Sequence, residues 1–369
     1  FNLAIKYDVA RNYPSYGLKA IIKYEGLERE NRQPYDASQI YKRYQDPKEW
    51  AKIKEYAKDD GDDALKLFDL MIPAYFYFAQ NVPRGLQHIV NSNSGSQINS
   101  FLVRSYLQKG QGIPKADDTI KYEGGISFGE PGIYEDCFKV DVSSLYPSIM
   151  LRYRIENREK DPDGHFLYMV ETFKESRMRN KRLAKETGER RYQDKSDAEK
   201  IFINSAYGFL NARGLNFNYP EGAQKVCRYG RFILTKGINY ATRLGYGIAN
   251  ADTDSFMIHD FTGDQQNFLN DLNALYTGIN WEHDGYFPSV LILKAKNYVL
   301  LSSNGEIKQK GAAIKATTKE PVFKEFISDV TKALLQGERE NDILNRYNRL
   351  AGDIHRIDKS SISRWGSKK

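Results

Sequence analysis

The sequence predicts an α+β fold, and three observations carry that expectation. Helix-period and strand-period patterns come in blocks: helix and loop, a strand, a set of helices, more strands, then helix again. The chain has 369 residues, of which 40% are apolar, enough to bury a core in two or three domains at roughly 100–200 residues each. No unbroken apolar run approaches a membrane span, and there is no internal repeat or low-complexity tract.

Residues 1 to 75 are polar, with a helical stretch from Trp50 to Met71. The stretch from Tyr75 to Gly110 reads as helix broken by loops, with Ser92-Asn93-Ser94-Gly95-Ser96 as a flexible turn. Strand signals begin at Tyr122-Glu123-Gly124-Gly125 and recur at Cys137-Phe138-Lys139-Val140. A helical pattern runs from Gly164 to Glu186, Gly188 breaks it, and a second helix from Ser196 to Tyr207 has Gly208 placed to end it. Helix returns from Gly222 to Leu244, and strands follow at Ile248–Asn250 and Ser255–His259. An acidic stretch two helices long then leads to strands near Val290–Leu301 and a helical tail from Val322.

Composition excludes several classes. Cys137 and Cys227 are the two cysteines, too few for a disulfide scaffold or a thiolate-rich zinc site, and the five histidines have no metal-ligand spacing. The start Phe1-Asn2-Leu3 has no signal peptide and no initiator Met, as expected of a fragment or processed chain. The net charge of +7 is modest, but its distribution is uneven. Glu171–Arg243 carries 16 basic and 8 acidic residues, and Lys294–Lys324 carries 7 and 2. Between them, Leu244–Leu293 has seven acidic residues and neither Lys nor Arg. Two basic regions around an acidic one, with 26 tyrosines in the chain, fit a nucleic-acid partner.

Two segments place carboxylates where a divalent cation would bind. The strand at Cys137–Val140 leads into Asp141-Val142-Ser143-Ser144-Leu145-Tyr146-Pro147, where Pro147 suits the first turn of a helix starting near Ser144 or Tyr146. A carboxylate at a strand end beside a helix start offers hard oxygen and phosphate-ready N–H groups together, the surroundings Mg²⁺ takes. An ordinary Asx turn would use the same residues. The second segment, Ile248 to Ile258, reads as strand, tight turn and strand, with Asp252 and Asp254 on one face by the period of two. Two converging carboxylates repel, and a cation keeps both ionised.

The basic helices are one-sided. Lys200, Asn204 and Tyr207 fall at i, i+4 and i+7, while Lys174, Arg177, Lys181 and Lys185 share a face of the preceding helix. Paired cationic faces suit a triphosphate, and a tyrosine suits stacking under a base.

These segments resemble the motifs of family B DNA polymerases. Asp141-Val142-Ser143-Ser144-Leu145-Tyr146-Pro147-Ser148 matches motif A, DxxSLYPS, and Lys200-Ile201-Phe202-Ile203-Asn204-Ser205-Ala206-Tyr207-Gly208 looks like motif B, KxxxNSxYG. Asp252-Thr253-Asp254-Ser255 resembles motif C, Lys296-Asn297-Tyr298 the KxY motif and Tyr122-Glu123-Gly124-Gly125 the YxGG motif. All five occur in the family's order between Tyr122 and Tyr298, about half the chain.

The resemblance implies a right-hand polymerase with an antiparallel-sheet palm and helical fingers. Its parts would be a partial 3′–5′ exonuclease-like region at 1–75, a linker and first part of the palm at 76–160, fingers at 161–211, the second part of the palm at 212–325 and the start of a thumb at 326–369. It implies template-directed DNA synthesis on a primer 3′-hydroxyl with two Mg²⁺ ions, for which Mn²⁺ can substitute. Asp141, Asp254 and the backbone carbonyl of Val142 would hold the metals, with Asp252 a third carboxylate. Ser144, Leu145 and Tyr146 would meet the nucleotide, Tyr146 lying under the sugar and excluding a 2′-hydroxyl. Arg177, Lys181, Lys200 and Asn204 would bind the triphosphate, Lys200 protonating the leaving pyrophosphate. Tyr207 would lie near the nascent base pair, Lys296 and Tyr298 would hold the primer end, and Tyr122, Gly124 and Gly125 would touch the template. The implied partners are primer–template DNA, deoxynucleoside triphosphates and a separate exonuclease, thumb or processivity subunit, at replicating DNA inside a cell and away from membranes.

Departures from the family pattern are local. Asn250 stands where motif C usually has a tyrosine. Tyr56 and Asp60 fit the third exonuclease motif, but the first, DxE, has its sole match at Asp197-Ala198-Glu199 inside the fingers helix, so no 3′–5′ exonuclease is expected of this chain alone. The tail Ser363–Lys369 resembles the beginning of a thumb, and the length falls short of a complete proofreading polymerase. Two alternatives remain open. Intact Asp141, Asp254 and Lys200 count against a non-catalytic nucleic-acid-binding subunit, since binding alone needs none of them. The intervals of 59 residues from Asp141 to Lys200 and 54 from Lys200 to Asp254 leave little room for the insertions of a protein-primed replicase.

Overall fold

The structure is a computed structural model that describes residues 2–8, 13, 15–30, 32, 35–311 and 321–353; the expected thumb tail at 363–369 lies outside them. In chain order, α1 (Asn2–Tyr7), α2 (Leu18–Tyr24), α3 (Ile40–Arg43), α4 (Trp50–Ala79), α5 (Leu86–Asn91) and α6 (Ser94–Leu107) precede β1 (Ser127–Gly129), β2 (Gly132–Val142) and α7 (Leu145–Arg152). Then come α8 (His165–Thr187), α9 (Arg190–Leu210), α10 (Pro220–Arg243), β3 (Gly247–Asp252), β4 (Ser255–His259) and α11 (Gln265–Leu275). Strands β5 (Trp281–Lys294), β6 (Asn297–Leu301) and β7 (Ile307–Lys310) and helices α12 (Pro321–Leu335) and α13 (Glu340–Asp353) complete it. Mixed helix and antiparallel sheet agree with the α+β expectation. No described helix is long and apolar enough to cross a membrane.

The chain divides into two compact units, Phe1–Thr119 with Asn157–Asn218, and Ile120–Glu156 with Tyr219–Lys369. The first is helical. Helix α4 buries Leu67, Met71, Ala74 and Phe78, spaced by threes and fours, and so presents one apolar stripe. That stripe packs on Ile21 and Ile22 of α2 at one end and, through Phe78, on Phe202 of α9 at the other, with ring centroids 4.8 Å apart. Pro73 lies inside α4 and costs one backbone bond, which the burial of its neighbours Met71, Ala74 and Tyr75 outweighs. Helix α8 stops where the sequence indicates, at Gly188, whose φ of 69° only glycine adopts without strain. Asn180 Nδ2 donates to the Glu199 carboxylate at 2.9 and 3.0 Å, fixing α8 against α9.

The second unit is built on a seven-stranded sheet in the order β1-β3-β4-β2-β5-β6-β7, every described pair antiparallel. β2 is central, and Cys137, Phe138, Lys139 and Val140 are all buried because both its faces are covered. One face carries a core of Cys137, Ala249, Met257, Phe287, Val290, Ile292, Tyr298 and Leu300. On the other, Phe138 packs on Phe261 and on Phe268 of α11, with centroids 4.7 and 6.0 Å apart. Helix α10 approaches the same face at Gly237, where a Cβ would come within 3.0 Å of Phe256 and Trp281. Pro220 opens α10, Glu221 lies in its first turn and Arg243 in its last, matching the helix dipole.

Several sequence expectations shift. Tyr122–Gly125 is irregular and the first strand begins at Ser127, since two adjacent glycines have no side chain to pack on a sheet. α9 runs through Gly208 to Leu210, because burying Phe209 and Leu210 outweighs a glycine penalty of about 1 kcal/mol. The Ser92–Ser96 turn is a helix start, with Asn93 Oδ1 accepting from Ser96 N–H at 2.8 Å. The acidic stretch holds a single helix, α11, and the long strand β5 begins already at Trp281.

Phe138 is fully buried between the two helices and the sheet, and replacement by alanine removes a large aromatic from a site with little room to collapse. Phe138→Ala is expected to lower the urea midpoint of this unit by the equivalent of about 3–5 kcal/mol. Phe128→Ala, at a position 39% exposed on β1, should stay within about 0.5 kcal/mol of the parent. Equal losses would contradict the core assigned here.

Candidate active site

The sheet-bearing unit brings together Asp141, Asp254, Asp252, Tyr146, Gly125, Lys296 and Tyr298. Asp141 is near the end of β2, in register with Ser255 of β4 on one side and Glu282 of β5 on the other. Asp254 lies in the turn between β3 and β4, and its carbonyl accepts the Val142 N–H at 2.8 Å. That bond fixes the residue after the first aspartate to the backbone of the second. The turn is tight, with Asp254 N–H donating to the Asp252 carbonyl at 2.6 Å, and Thr253 takes a φ of 58°. A β-branched residue there is strained by about 1–3 kcal/mol, and the Thr253 N–H bond to the Ile126 carbonyl at 2.7 Å helps hold it. Ser144, at φ 52°, turns the chain from β2 into α7, and its side chain makes no cap bond.

The electrostatics follow from the crowding. Burial pushes the Asp141 carboxyl up to about 6, and the negative charges of Asp284 and Asp254 add to the rise. Asp254 is raised as well, by burial first and then by Asp252 and Asp284, against a lowering backbone hydrogen bond. Lys139 opposes both rises. Its ammonium is buried two residues before Asp141 on β2 and pairs with Asp284 of β5. Asp252 has a different partner, Lys296 Nζ at 2.9 Å, on a turn residue with φ 62°. Tyr298 is buried, and burial raises its hydroxyl pKa.

Lys139, Asp284 and Arg231 are the residues that sequence reasoning missed. A lone lysine inside an apolar strand is a signal in principle, since a buried cation requires a carboxylate nearby. Asp284 and Arg231 lie in no recognisable pattern. Arg231 of α10 donates to the carbonyls of Glu123 and Gly124 at 2.6 and 2.7 Å and so holds the Tyr122–Gly125 segment. Gly125 lies so close to Tyr146 that a Cβ there would be 3.1 Å from the tyrosine hydroxyl. Asn250 is buried opposite Gly129 on β1, and its Nδ2 has no hydrogen-bond partner among the described residues.

The remaining expected site residues belong to the helical unit. Arg177 on α8 is half-buried, Lys181 is exposed, and Tyr207 on α9 is half-buried. Lys200 and Asn204 line a cavity of about 690 Å³ together with Tyr7, Tyr13, Tyr24 and Tyr75. Tyr56 accepts from Lys19 Nζ at 2.8 Å and Asp60 pairs with Arg32 at 2.9 Å, while Glu199 is taken up by Asn180.

Among the described residues no group of three or more His, Cys, Asp or Glu side chains is arranged as a metal cage. Asp141 and Asp254 nonetheless suit a hard divalent cation: both donors are oxygens, and burial, with neighbouring carboxylates adding to it, raises the pKa of each.

The architecture has a counterpart among solved structures. The family B DNA polymerase from the hyperthermophilic archaeon Pyrobaculum calidifontis superposes on 98% of this chain with a TM-score of 0.71 at 22% identity, using 52% of its own length. The chain has the fold of a family B DNA polymerase. Curated archaeal proteins agree: a DNA polymerase of Desulfurococcus sp. (strain Tok) is 24% identical and DNA polymerase 1 of Pyrococcus abyssi 23% identical, each across 88% of this chain and 47% of the relative. The chain thus spans about half the length of the curated relatives it matches. No family model matches it. The family B resemblance drawn from the motifs holds, with sequence similarity reaching well beyond them.

A pH effect follows in the metal-free protein. The folded pKa of Asp141, about 6, lies above the ordinary carboxyl value of 3.8, so the folded state binds the extra proton between these values. Stability contributed by this group is therefore greatest below pH 4 and is lost as pH rises through 6. Asp141→Asn should raise the melting temperature of metal-free protein at pH 7.5 by a few degrees and leave it nearly unchanged at pH 4. An equal rise at both values would remove the explanation from a buried, raised carboxyl.

Proposed function

We propose that this chain carries the polymerising centre of a template-directed DNA polymerase, adding deoxynucleotides to a primer 3′-hydroxyl with release of pyrophosphate. The observation that carries the reading is the pair Asp141 and Asp254, held at the sheet by a backbone hydrogen bond between Val142 and Asp254 although burial first, and neighbouring carboxylates after it, raise both pKa values. A divalent cation would offset the cost of keeping both carboxylates ionised there. The similarity to archaeal DNA polymerases supports the reading.

On this reading the sheet with α7, α10 and α11 is the palm, α8 and α9 are the fingers, α12 and α13 begin a thumb, and residues 1–75 are a partial exonuclease-like region. Asp141, Asp254 and the Val142 carbonyl hold two divalent cations, Mg²⁺ by preference, with Asp252 beside them. When bound, the cations supply Lewis-acid activation of the primer hydroxyl and neutralise the leaving pyrophosphate. Ser144 and Leu145 meet the triphosphate, and Tyr146 stands under the sugar. Arg177, Lys181 and Asn204 bind triphosphate oxygens, and Lys200 gives the proton that the departing pyrophosphate requires. Tyr207 lies by the nascent base pair, Lys296 and Tyr298 hold the primer end, and Tyr122, Gly124 and Gly125 follow the template. The partners are primer–template DNA and deoxynucleoside triphosphates.

Asp254→Asn should reduce Mg²⁺-dependent primer extension by on the order of 10³-fold or more, while fluorescence anisotropy records duplex binding within a few-fold of the parent. Extension at the parental rate would remove Asp254 from the metal site. Tyr146→Ala should lower the preference for deoxy- over ribonucleotides, read as the ratio of kcat/KM values on one primer–template; an unchanged ratio would take Tyr146 away from the sugar.

A further inference from the structure

Tyr146 is the second residue of α7 and only partly buried, so its own helix does not fix the ring. Helix α10 and the Tyr122–Gly125 segment do. The Tyr146 hydroxyl is 3.6 Å from the Sγ of Cys227, a fully buried thiol on α10. Gly230 is three residues further along, hence on the same face of α10, and a Cβ there would be 3.1 Å from Tyr146 Cε1. On the hydroxyl side, a Cβ at Gly125 would be 3.1 Å from the Tyr146 oxygen and 3.1 Å from Thr253 Cγ2, in the turn that carries Asp254. The ring thus has two glycines and a thiol against it, each position too close for a larger side chain without movement.

We propose that Cys227, Gly230 and Gly125 form a slot that sets the position of the Tyr146 ring, and that they determine sugar specificity as positioning residues, acting through Tyr146 without touching substrate. The proposal rests on Tyr146 being the residue under the sugar. A thiol is a weak hydrogen-bonding group, so the contribution of Cys227 is chiefly to occupy the space beside the hydroxyl. With Sγ removed, the ring can lean toward α10, away from the sugar, and leave room for a 2′-hydroxyl. A methyl at Gly230 acts the other way. At 3.1 Å it is inside the 3.5–4.0 Å of ordinary carbon contacts, so the ring moves off α10 toward the sugar. Two changes on one helix face should therefore move selectivity in opposite directions, which a general loss of packing would not do.

The test is single-nucleotide incorporation of dCTP and CTP on one primer–template, comparing kcat/KM ratios for the parent, Cys227→Ala, Cys227→Ser, Gly230→Ala, Tyr146→Ala and the Tyr146→Ala/Cys227→Ala double variant, each checked by thermal melting. Cys227→Ala should lower the deoxy-to-ribo ratio roughly tenfold with kcat for dCTP within a few-fold of the parent, and Cys227→Ser should restore most of the ratio. Gly230→Ala should raise the ratio while increasing KM for dCTP, and it serves as the independent arm if Cys227→Ala does not fold, an unchanged or lowered ratio then overturning the slot. In the Tyr146→Ala background, Cys227→Ala should change nothing further. A ratio lowered by Tyr146→Ala but unmoved by Cys227→Ala and Gly230→Ala overturns the slot alone. A ratio lowered equally by Cys227→Ala with and without Tyr146 also overturns it. If Tyr146→Ala itself leaves the ratio unchanged, the assignment of Tyr146 to the sugar fails, and the slot with it.

Discussion

Much of the sheet-bearing unit is arranged around one unfavourable circumstance, the burial of Asp141 and Asp254 among other carboxylates. Their backbones are tied together, because the Val142 N–H donates to the Asp254 carbonyl and joins the end of β2 to the β3–β4 turn. Both pKa values are raised, burial being the largest cause, and the turn that carries Asp254 holds Thr253 in a left-handed backbone. Strain and like-charge contact concentrate at sites where function requires them, and the rest of the fold has to hold them in place. Here that support is the sheet: β2 is its central strand, buried on both faces, with Phe138 and Val140 anchoring the segment that presents Asp141.

The counter-charge is as local as the repulsion. Lys139 reaches Asp284 across the β2–β5 pair, and Lys296 reaches Asp252 from the β5–β6 turn. The two pairs differ in environment. Lys139 is nearly enclosed, and removing Asp284 would leave a buried ammonium, whereas Lys296 is well exposed and its pair adds little to stability. Asp284 is therefore a carboxylate already answered by protein. Asp141 and Asp254 share the influence of Lys139 and make no ion pair of their own among the described residues, which suits the metal role proposed for them.

The sequence made the chemistry more legible than the architecture. Asp141, Asp254 and Lys200 could be singled out because short-range constraints of turn and helix spacing surround them, and those constraints are written locally. A helix end was legible where glycine enforced it, as at Gly188. Gly208 misled, since the helix there is extended by burial of Phe209 and Leu210, a tertiary effect with no local mark. The irregular Tyr122–Gly125 segment misled for a related reason: its conformation is held from outside, by Arg231 on a helix more than 100 residues away. Lys139 and Asp284 were hidden because their meaning lies in a register between β2 and β5, which no single window contains.

The same long-range pairing explains the charge pattern. The segment Leu244–Leu293 has seven acidic residues and no lysine or arginine, an imbalance that in isolation would extend and repel. The fold resolves it by importing cations from either side, Lys139 from before the segment and Lys296 from just after it. A segment balanced within itself would have had cations free to settle on Asp254. With Lys139 on β2 and Lys296 in the β5–β6 turn, the chain answers Asp284 and Asp252 and leaves negative potential at Asp141 and Asp254. The modest net charge of +7 conceals this division, and the division, more than the sum, is what a metal ion and a phosphate would encounter.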